Sequence, residues 1–354
     1  MEAAAFEFLQ TLLSTPSPSG YEEEIQQVVR DYASSFVDEM ATDTHGNLIM
    51  VVNPGAETRL MFDGHCDQIG LLVTHIDDQG FIYAQTIGGW DPQQLIGQRM
   101  TIWAEAGPIP AVIARKPIHL LNEQERKQVV KLTELWLDIG ANDKEQASEL
   151  VKIGDPVTLL LGFQPMLNGF ANAPGMDNRT GVWVVVEAMR RAKQGSLNCS
   201  LHVASSVQEE IGLRGATTSA FSIDPHVGIA VDVTHATDCP TIDQRQQGDI
   251  QLGRGPVVFR GPNMNHKVVK LLQQVAADGE IPYQMSAVGR ATPNDTNALQ
   301  INRGGVATGL VSLPNRYMHS AVETICLADL DHAASLLAGF AGQVKDVASF
   351  VPGR

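Results

Sequence analysis

Ile25, Val28, Val29 and Tyr32 fall at the i, i+3, i+4, i+7 spacing of one helical face. Ser19-Gly20-Tyr21-Glu22, just ahead of them, has the Ser-x-x-Glu spacing of a capping box, and Pro16 and Pro18 punctuate the loop before it. The chain should therefore open as helix, loop and helix, followed by short apolar strands at 47–52 and 59–63. From about residue 69 to 162 the texture changes. Strand-like runs at 69–75, 80–86, 100–104, 111–114 and 156–161 are separated by Gly, Pro and Asp, with one charged helical patch near 122–127. Close-set strands with few helices predict a small β-sandwich or barrel. Beyond 162, strands and helices alternate. A helix over 178–192 turns Val182, Val185, Val186 and Met189 inward, and another over 265–277 carries Val268, Leu271, Leu272 and Val275. Strands are expected at 199–207, 227–233 and 306–313, and a last helix from 327. This alternation predicts an α/β sheet covered on both faces. The chain thus reads as an α/β unit of residues 1–67 and 163–354, interrupted by a β-rich insertion at 68–162.

Composition narrows the class of function. At 354 residues, 44% hydrophobic and 18% charged, the chain is ordinary globular protein. A formal net charge of -15 speaks against the Lys/Arg-rich surface of a nucleic-acid partner and against a polybasic membrane surface. No apolar run nears the roughly 20 residues that span a bilayer, and the first residues lack the basic-then-apolar order of a secretory signal. Cys66, Cys199, Cys239 and Cys326 are scattered without a C-x-x-C pair, which suits reduced thiols better than disulfides or a zinc knuckle. The expectation is a soluble cytoplasmic enzyme.

Acidic and imidazole side chains gather at the predicted strand ends, where sites form in open α/β sheets. His65-Cys66-Asp67 offers an imidazole with a carboxylate two residues on, the kind of acceptor that orients a metal-binding histidine. Asp177-Asn178-Arg179 reads either as a helix cap or as a carboxylate held rigidly enough to bridge cations. Glu209 and Glu210 repel each other unless a cation or hydrogen bonds offset them. Adjacent residues point apart, so one reads as a ligand and the other as a base. Asp232 ends an apolar run, and His319 follows the strand that closes near residue 313. Together these islands supply two imidazoles, three ligand carboxylates and one spare carboxylate, the set that two divalent ions sharing an aspartate require.

The islands resemble the tetrahedral (TET) aminopeptidases, the metallopeptidase family that also holds glutamyl and deblocking aminopeptidases. The similarity rests on His65-Cys66-Asp67-Gln68-Ile69-Gly70, Asp177-Asn178-Arg179-Thr180-Gly181, Gln208-Glu209-Glu210-Ile211-Gly212, Asp232-Val233-Thr234-His235 and Arg316-Tyr317-Met318-His319-Ser320, all in family order. It continues into the insertion at Gly88-Gly89-Trp90-Asp91-Pro92 and Leu137-Asp138-Ile139-Gly140. The resemblance implies a three-layer, phosphorylase/hydrolase-like catalytic domain (1–67 and 163–354) with a small β-barrel or sandwich dimerisation domain inserted at 68–162. It implies two divalent ions, zinc or cobalt: His65 and Asp232 on one, Glu210 and His319 on the other, Asp177 bridging. Glu209 would be the general base, Asp67 the partner of His65, and the Asp177–Asn178 peptide cis. Small peptides would be the substrates, hydrolysed from the N-terminus, and the assembly a homo-oligomer built from dimers towards a dodecamer. Two departures stand out. Gln68 replaces a common Glu, which predicts altered hydrogen bonding without loss of metal, and residues 290–297 differ from the usual glycine-rich run, so specificity does not carry over. Competing readings are a deacylase or carboxypeptidase on the same scaffold, a glycosidase, and a non-catalytic binding protein.

Overall fold

The computed structural model describes residues 1–353. Helices α1 (Ala3–Ser14) and α2 (Glu23–Ala33) lead into β1 (Glu39–Thr42), β2 (Leu48–Val52) and β3 (Arg59–His65). The insertion follows, with β4 (Gly70–Ile76), β5 (Ile82–Ile87), α3 (Pro92–Leu95), β6 (Arg99–Ala104), β7 (Gly107–Ala114), α4 (Glu123–Arg126), β8 (Trp136–Asp138), α5 (Lys144–Leu150) and β9 (Pro156–Leu159). Short strands β10 (Gln164–Pro165) and β11 (Phe170–Asn172) lead to α6 (Met176–Ala192), β12 (Ser200–Ser206), α7 (Arg214–Ile223), β13 (Val227–His235) and α8 (Gln244–Gln247). The chain ends with β14 (Val257–Arg260), α9 (His266–Asp278), β15 (Gln284–Ala287), α10 (Asp295–Gln300), β16 (Ala307–Asn315), β17 (Thr324–Cys326) and α11 (Leu327–Gln343).

An eight-stranded sheet in the order β1-β2-β12-β3-β13-β16-β14-β15 organises the larger unit. Its centre, β12-β3-β13-β16, is parallel, and antiparallel pairings flank it at β2/β12 and β14/β16. Helices α6, α9 and α11 pack on one face, and α7 and α10 on the other, which makes three layers. The central strands bury both faces, as Leu60, Met61, Phe62, Ile229 and Val231 show, because parallel strands are covered on either side. Helix α6 is buried almost throughout; its Trp183 sits in the core and donates Nε1–H to the Ala5 carbonyl at 2.7 Å, which ties α1 to the sheet's cover.

The insertion closes into a six-stranded barrel, β4-β5-β8-β7-β6-β9, with its own apolar core around Leu71, Ile82, Ile102, Ile113 and Val157. Closure removes the open edges that a small sheet would leave. The periodicity placed five of these strands within a few residues. The three-residue β8 and helix α5 are too short or too polar to register as periodic segments.

One local expectation fails. Glu22 is the N-cap of α2 but makes no side-chain cap bond, and Ser19 does not cap the helix. Ser19 Oγ instead donates to Asp67 Oδ2 at 2.6 Å, and Glu22 Oε1 accepts from the backbone N–H groups of Gly20 and Gln208. The buried carboxylate of Asp67 competes better for that hydroxyl than a solvated helix end does.

Candidate metal centre

The parallel strands all end on one side of the sheet. His65 is the last residue of β3, Glu209 and Glu210 follow β12, Asp232 lies in β13, and the turn after β16 carries His319. Asp177 enters from the start of α6, where the Asp177–Asn178 peptide is cis.

Asp177 stands between the two imidazoles. Its Oδ1 is 3.3 Å from His65 Nε2, and its Oδ2 is 3.2 Å from His319 Nε2. Asp232 Oδ1 and Glu209 Oε2 lie 3.7 and 3.8 Å from His65 Nε2, while Glu210 Oε1 lies 3.5 Å from His319 Nε2. Two clusters result, His65/Glu209/Asp232 and Asp177/Glu210/His319, each with donor atoms within 4.8 Å of one another. All six ligand and base candidates from the sequence therefore meet in one cavity of about 580 Å³.

Each group is held from behind. His65 Nδ1 faces both the carbonyl and the carboxylate of Asp67, at 3.2 and 3.3 Å, which leaves Nε2 for the cavity. His319 Nδ1–H donates to the Gly89 carbonyl at 2.9 Å; a carbonyl can only accept, so the proton is fixed on Nδ1. Gly89 belongs to the inserted barrel, so the insertion sets the tautomer of a residue in the α/β unit. Asp67 also accepts from the Glu209 and Glu210 N–H groups at 2.9 and 3.2 Å, which locks the turn carrying both glutamates.

Several of these supports escaped the sequence reading. Buried Glu323 accepts from the N–H of Asp177 at 3.0 Å and from the N–H of His319 at 2.7 Å. The pairing of β11 with β17 makes this possible, since it brings the chain before Asp177 beside the chain after His319. Arg179 is fully buried and donates to the carbonyls of Leu12, Thr15, Pro174 and Gly175, stapling the turn that leads to Asp177. Gly175 adopts φ +68°, and a Cβ there would overlap the Arg179 guanidinium. Asp63 and Asp295 are buried behind His65, both within reach of the Ser206 hydroxyl. Gln68 is buried, with its side-chain oxygen left without a partner.

The electrostatics favour cations. Burial, then the charges of neighbouring carboxylates, pushes Glu209 up to about 9 and Glu210 up to about 7. Asp177 goes the other way: burial opposes ionisation, but the His319 and His65 imidazoles hold it well below the carboxylate range. His319, despite burial, is raised to about 11 by Asp177 and Glu210. No Lys or Arg among the described residues lines the cavity to offset these acids. Glu210 Oε1 is buried without a hydrogen-bond partner. An orphaned carboxylate oxygen, two imidazoles aimed by their far nitrogens and an uncompensated acidic cluster make a donor set that fits divalent cations.

A sequence profile of the M42 glutamyl aminopeptidase family matches residues 46–336. The chain belongs to that family. It is 36% identical to the lysyl aminopeptidase of Pyrococcus furiosus over 98% of this chain and 99% of the relative. A TET aminopeptidase structure from a marine sediment Thaumarchaeota archaeon superposes with a TM-score of 0.94 at 31% identity, covering 98% of this chain and 99% of that one. The TET1 peptidase of Pyrococcus horikoshii gives a TM-score of 0.85 at 32% identity, over 96% and 100% of the two chains. The protein is an aminopeptidase, a peptide-bond hydrolase of a family that implies a divalent metal. The glycosidase and non-catalytic readings are set aside. No helix among the described residues is long and apolar enough to cross a membrane.

Proposed function

We propose that two divalent ions, zinc or cobalt, serve this aminopeptidase, with His65 and Asp232 holding one, Glu210 and His319 the other, and Asp177 bridging. The observation that carries this reading is the span of Asp177, one oxygen near each imidazole at 3.3 and 3.2 Å. Because Asp177 completes the donor set around His65, Glu209 is left free for proton transfer. Ions bound there supply Lewis acidity and lower the pKa of water towards about 7.

The chain's own groups do the rest. Glu209 takes a proton from the attacking water and returns one to the leaving amine, a role worth roughly 100- to 10,000-fold in rate. Asp67 keeps His65 aimed and holds the turn that carries Glu209. The substrate's free α-ammonium is drawn to the carboxylate cluster, which restricts cleavage to the first residue of short peptides. We take residues 1–67 and 163–354 as the catalytic unit and 68–162 as the dimerisation insert, with assembly towards a dodecamer. A Pyrococcus horikoshii TET1 relative is described as forming a tetrahedron or an octahedral shell, which supports that expectation. Four free cysteines, three of them buried, support a reducing cytoplasmic setting.

The test is dialysis against a chelator, followed by separate addition of zinc and cobalt. Hydrolysis of free-amine peptides should vanish and return, with two ions bound per chain, while N-acetylated peptides stay intact throughout. Preferential cleavage of the acetylated peptides would transfer the site to the deacylase reading.

A further inference from the structure

We infer that the enzyme selects large uncharged apolar N-terminal residues, such as leucine, methionine and phenylalanine, over glutamate and lysine. The inference rests on the aminopeptidase reading of the same cavity and names the side chain that the cavity accepts.

The sheet register builds the argument. Asp232 pairs with Ser312 on β16, so the two share a face, and Leu310, two residues before Ser312, shares it too. Strand β14 runs antiparallel to β16 with Val258 opposite Val311, so the next rung sets Phe259 beside Leu310. In the parallel β14/β15 pair Phe259 lies opposite Ser286, and Val288 stands two residues further on the same face, where its N–H continues the ladder to the Arg260 carbonyl at 2.9 Å. Leu310, Phe259 and Val288 therefore form a floor three strands wide, directly beside the face that presents Asp232. All three line the cavity, and Met318 borders it next to His319.

The roof is neutral as well. Thr292 and Asn294, both buried, come from the segment before α10 and line the same cavity. Arg290, the nearest basic residue in that segment, is exposed and does not line it. Of the lining carboxylates, Asp177, Glu210 and Asp232 are committed to the two divalent ions and Glu209 to proton transfer. An N-terminal residue bound with its α-amine at those clusters lays its side chain over the apolar floor. A glutamate there loses hydration and meets no Lys or Arg, the further imidazole on the lining, His235, being exposed at the end of β13, and a lysine loses hydration and meets no unclaimed carboxylate. An aliphatic or aromatic chain gains the buried area instead, and each added methylene in such a pocket is worth roughly 10- to 200-fold in specificity.

The experiment compares kcat/KM of metal-loaded enzyme on leucyl, methionyl, phenylalanyl, alanyl, glutamyl and lysyl chromogenic amides. Leucine, methionine or phenylalanine should exceed glutamate and lysine by about 100-fold or more. Chelator-sensitive activity that is greatest on the glutamyl or lysyl amide, or equal within tenfold, overturns the specificity and leaves the aminopeptidase reading intact. Absence of turnover on every amide and on free peptides instead overturns that reading together with this one. Val288→Arg tests the floor directly: the glutamyl-to-leucyl ratio of kcat/KM should rise at least tenfold. An unchanged ratio in a protein with wild-type metal content would remove Val288 from the side-chain site. Phe259→Ala should narrow the leucyl-to-alanyl ratio, and an unchanged ratio counts equally against the floor.

Discussion

Arg179 carries a charge into a place where charge is costly, and it persists because four main-chain carbonyls surround it. Burial still draws its pKa down to about 10, so the guanidinium remains charged at neutral pH. Its role is mechanical: it fixes the turn that delivers Asp177. Replacing Gly175 by alanine sets a methyl group against that guanidinium at a left-handed φ, and we expect metal affinity to fall by at least tenfold, read by titration with a chelating dye. Glu209 calls for a different measurement. Glu209→Gln should bind metal normally by elemental analysis and lose about 100- to 10,000-fold in kcat. Full activity in that variant would assign the proton transfer to another group. Among these residues the sequence exposed the donors and one support, Asp67 behind His65, and hid the other supports. His65, Asp177, Glu210, Asp232 and His319 are chemically conspicuous at strand ends. Ser19, Glu323 and Arg179 each join a near stretch of chain to a distant one, Ser19 to Asp67, Glu323 to Asp177 and Arg179 to Leu12 and Thr15, and local spacing does not reveal those distant partners.

Helix α6 and the barrel insertion link the residue scale to the whole. Trp183 lies at the heart of α6, and its indole N–H reaches the first helix. Truncation to alanine should cost about 3–5 kcal/mol, measured by urea unfolding, because both a large cavity and an unpaired Ala5 carbonyl result. The barrel contributes the Gly89 carbonyl to His319, and the preceding Gly88 adopts φ +75° with space for a Cβ denied by Ile69 at 2.6 Å. On the proposed two-ion site, Gly88→Ala should displace this loop and weaken binding at the His319 cluster more than at the His65 cluster. Sub-stoichiometric metal near one equivalent per chain is the expected outcome, and two tightly bound ions would show that Gly89 is dispensable. The helices and central strands of the α/β unit were legible from apolar spacing. The edge strands β14 and β15, with helices α7 and α10, were not, since they are short and alternate weakly; these same edge strands supply Phe259 and carry the chain to Val288.

At the scale of the molecule, pH acts through half-buried titratable groups outside the cavity as well as through the site. Burial, and then the positive charge of Arg59, holds His202 down at about 4. Its folded pKa lies below that of the unfolded chain, near 6.5. Between those values the unfolded chain binds the extra proton, so this contribution to stability is complete above about 6.5 and is lost as pH falls towards 4. The urea midpoint should therefore drop between pH 7.5 and 5, and His202→Gln should flatten that drop. An identical pH dependence in wild type and variant would exclude His202 as its source.

The sequence alone determined the class of this protein: alternating apolar segments for an α/β sheet, a β-rich stretch that interrupts it, and a set of imidazoles and carboxylates suited to metal chemistry. These are properties of nearest neighbours along the chain, where spacing and residue type act directly. Tertiary structure alone decided that Asp177 lies between two imidazoles, that a glycine of the barrel sets the tautomer of His319, and that Leu310, Phe259 and Val288 stand side by side. Such contacts depend on strand register and on which segments the sheet order brings together, and no local pattern in the chain encodes either.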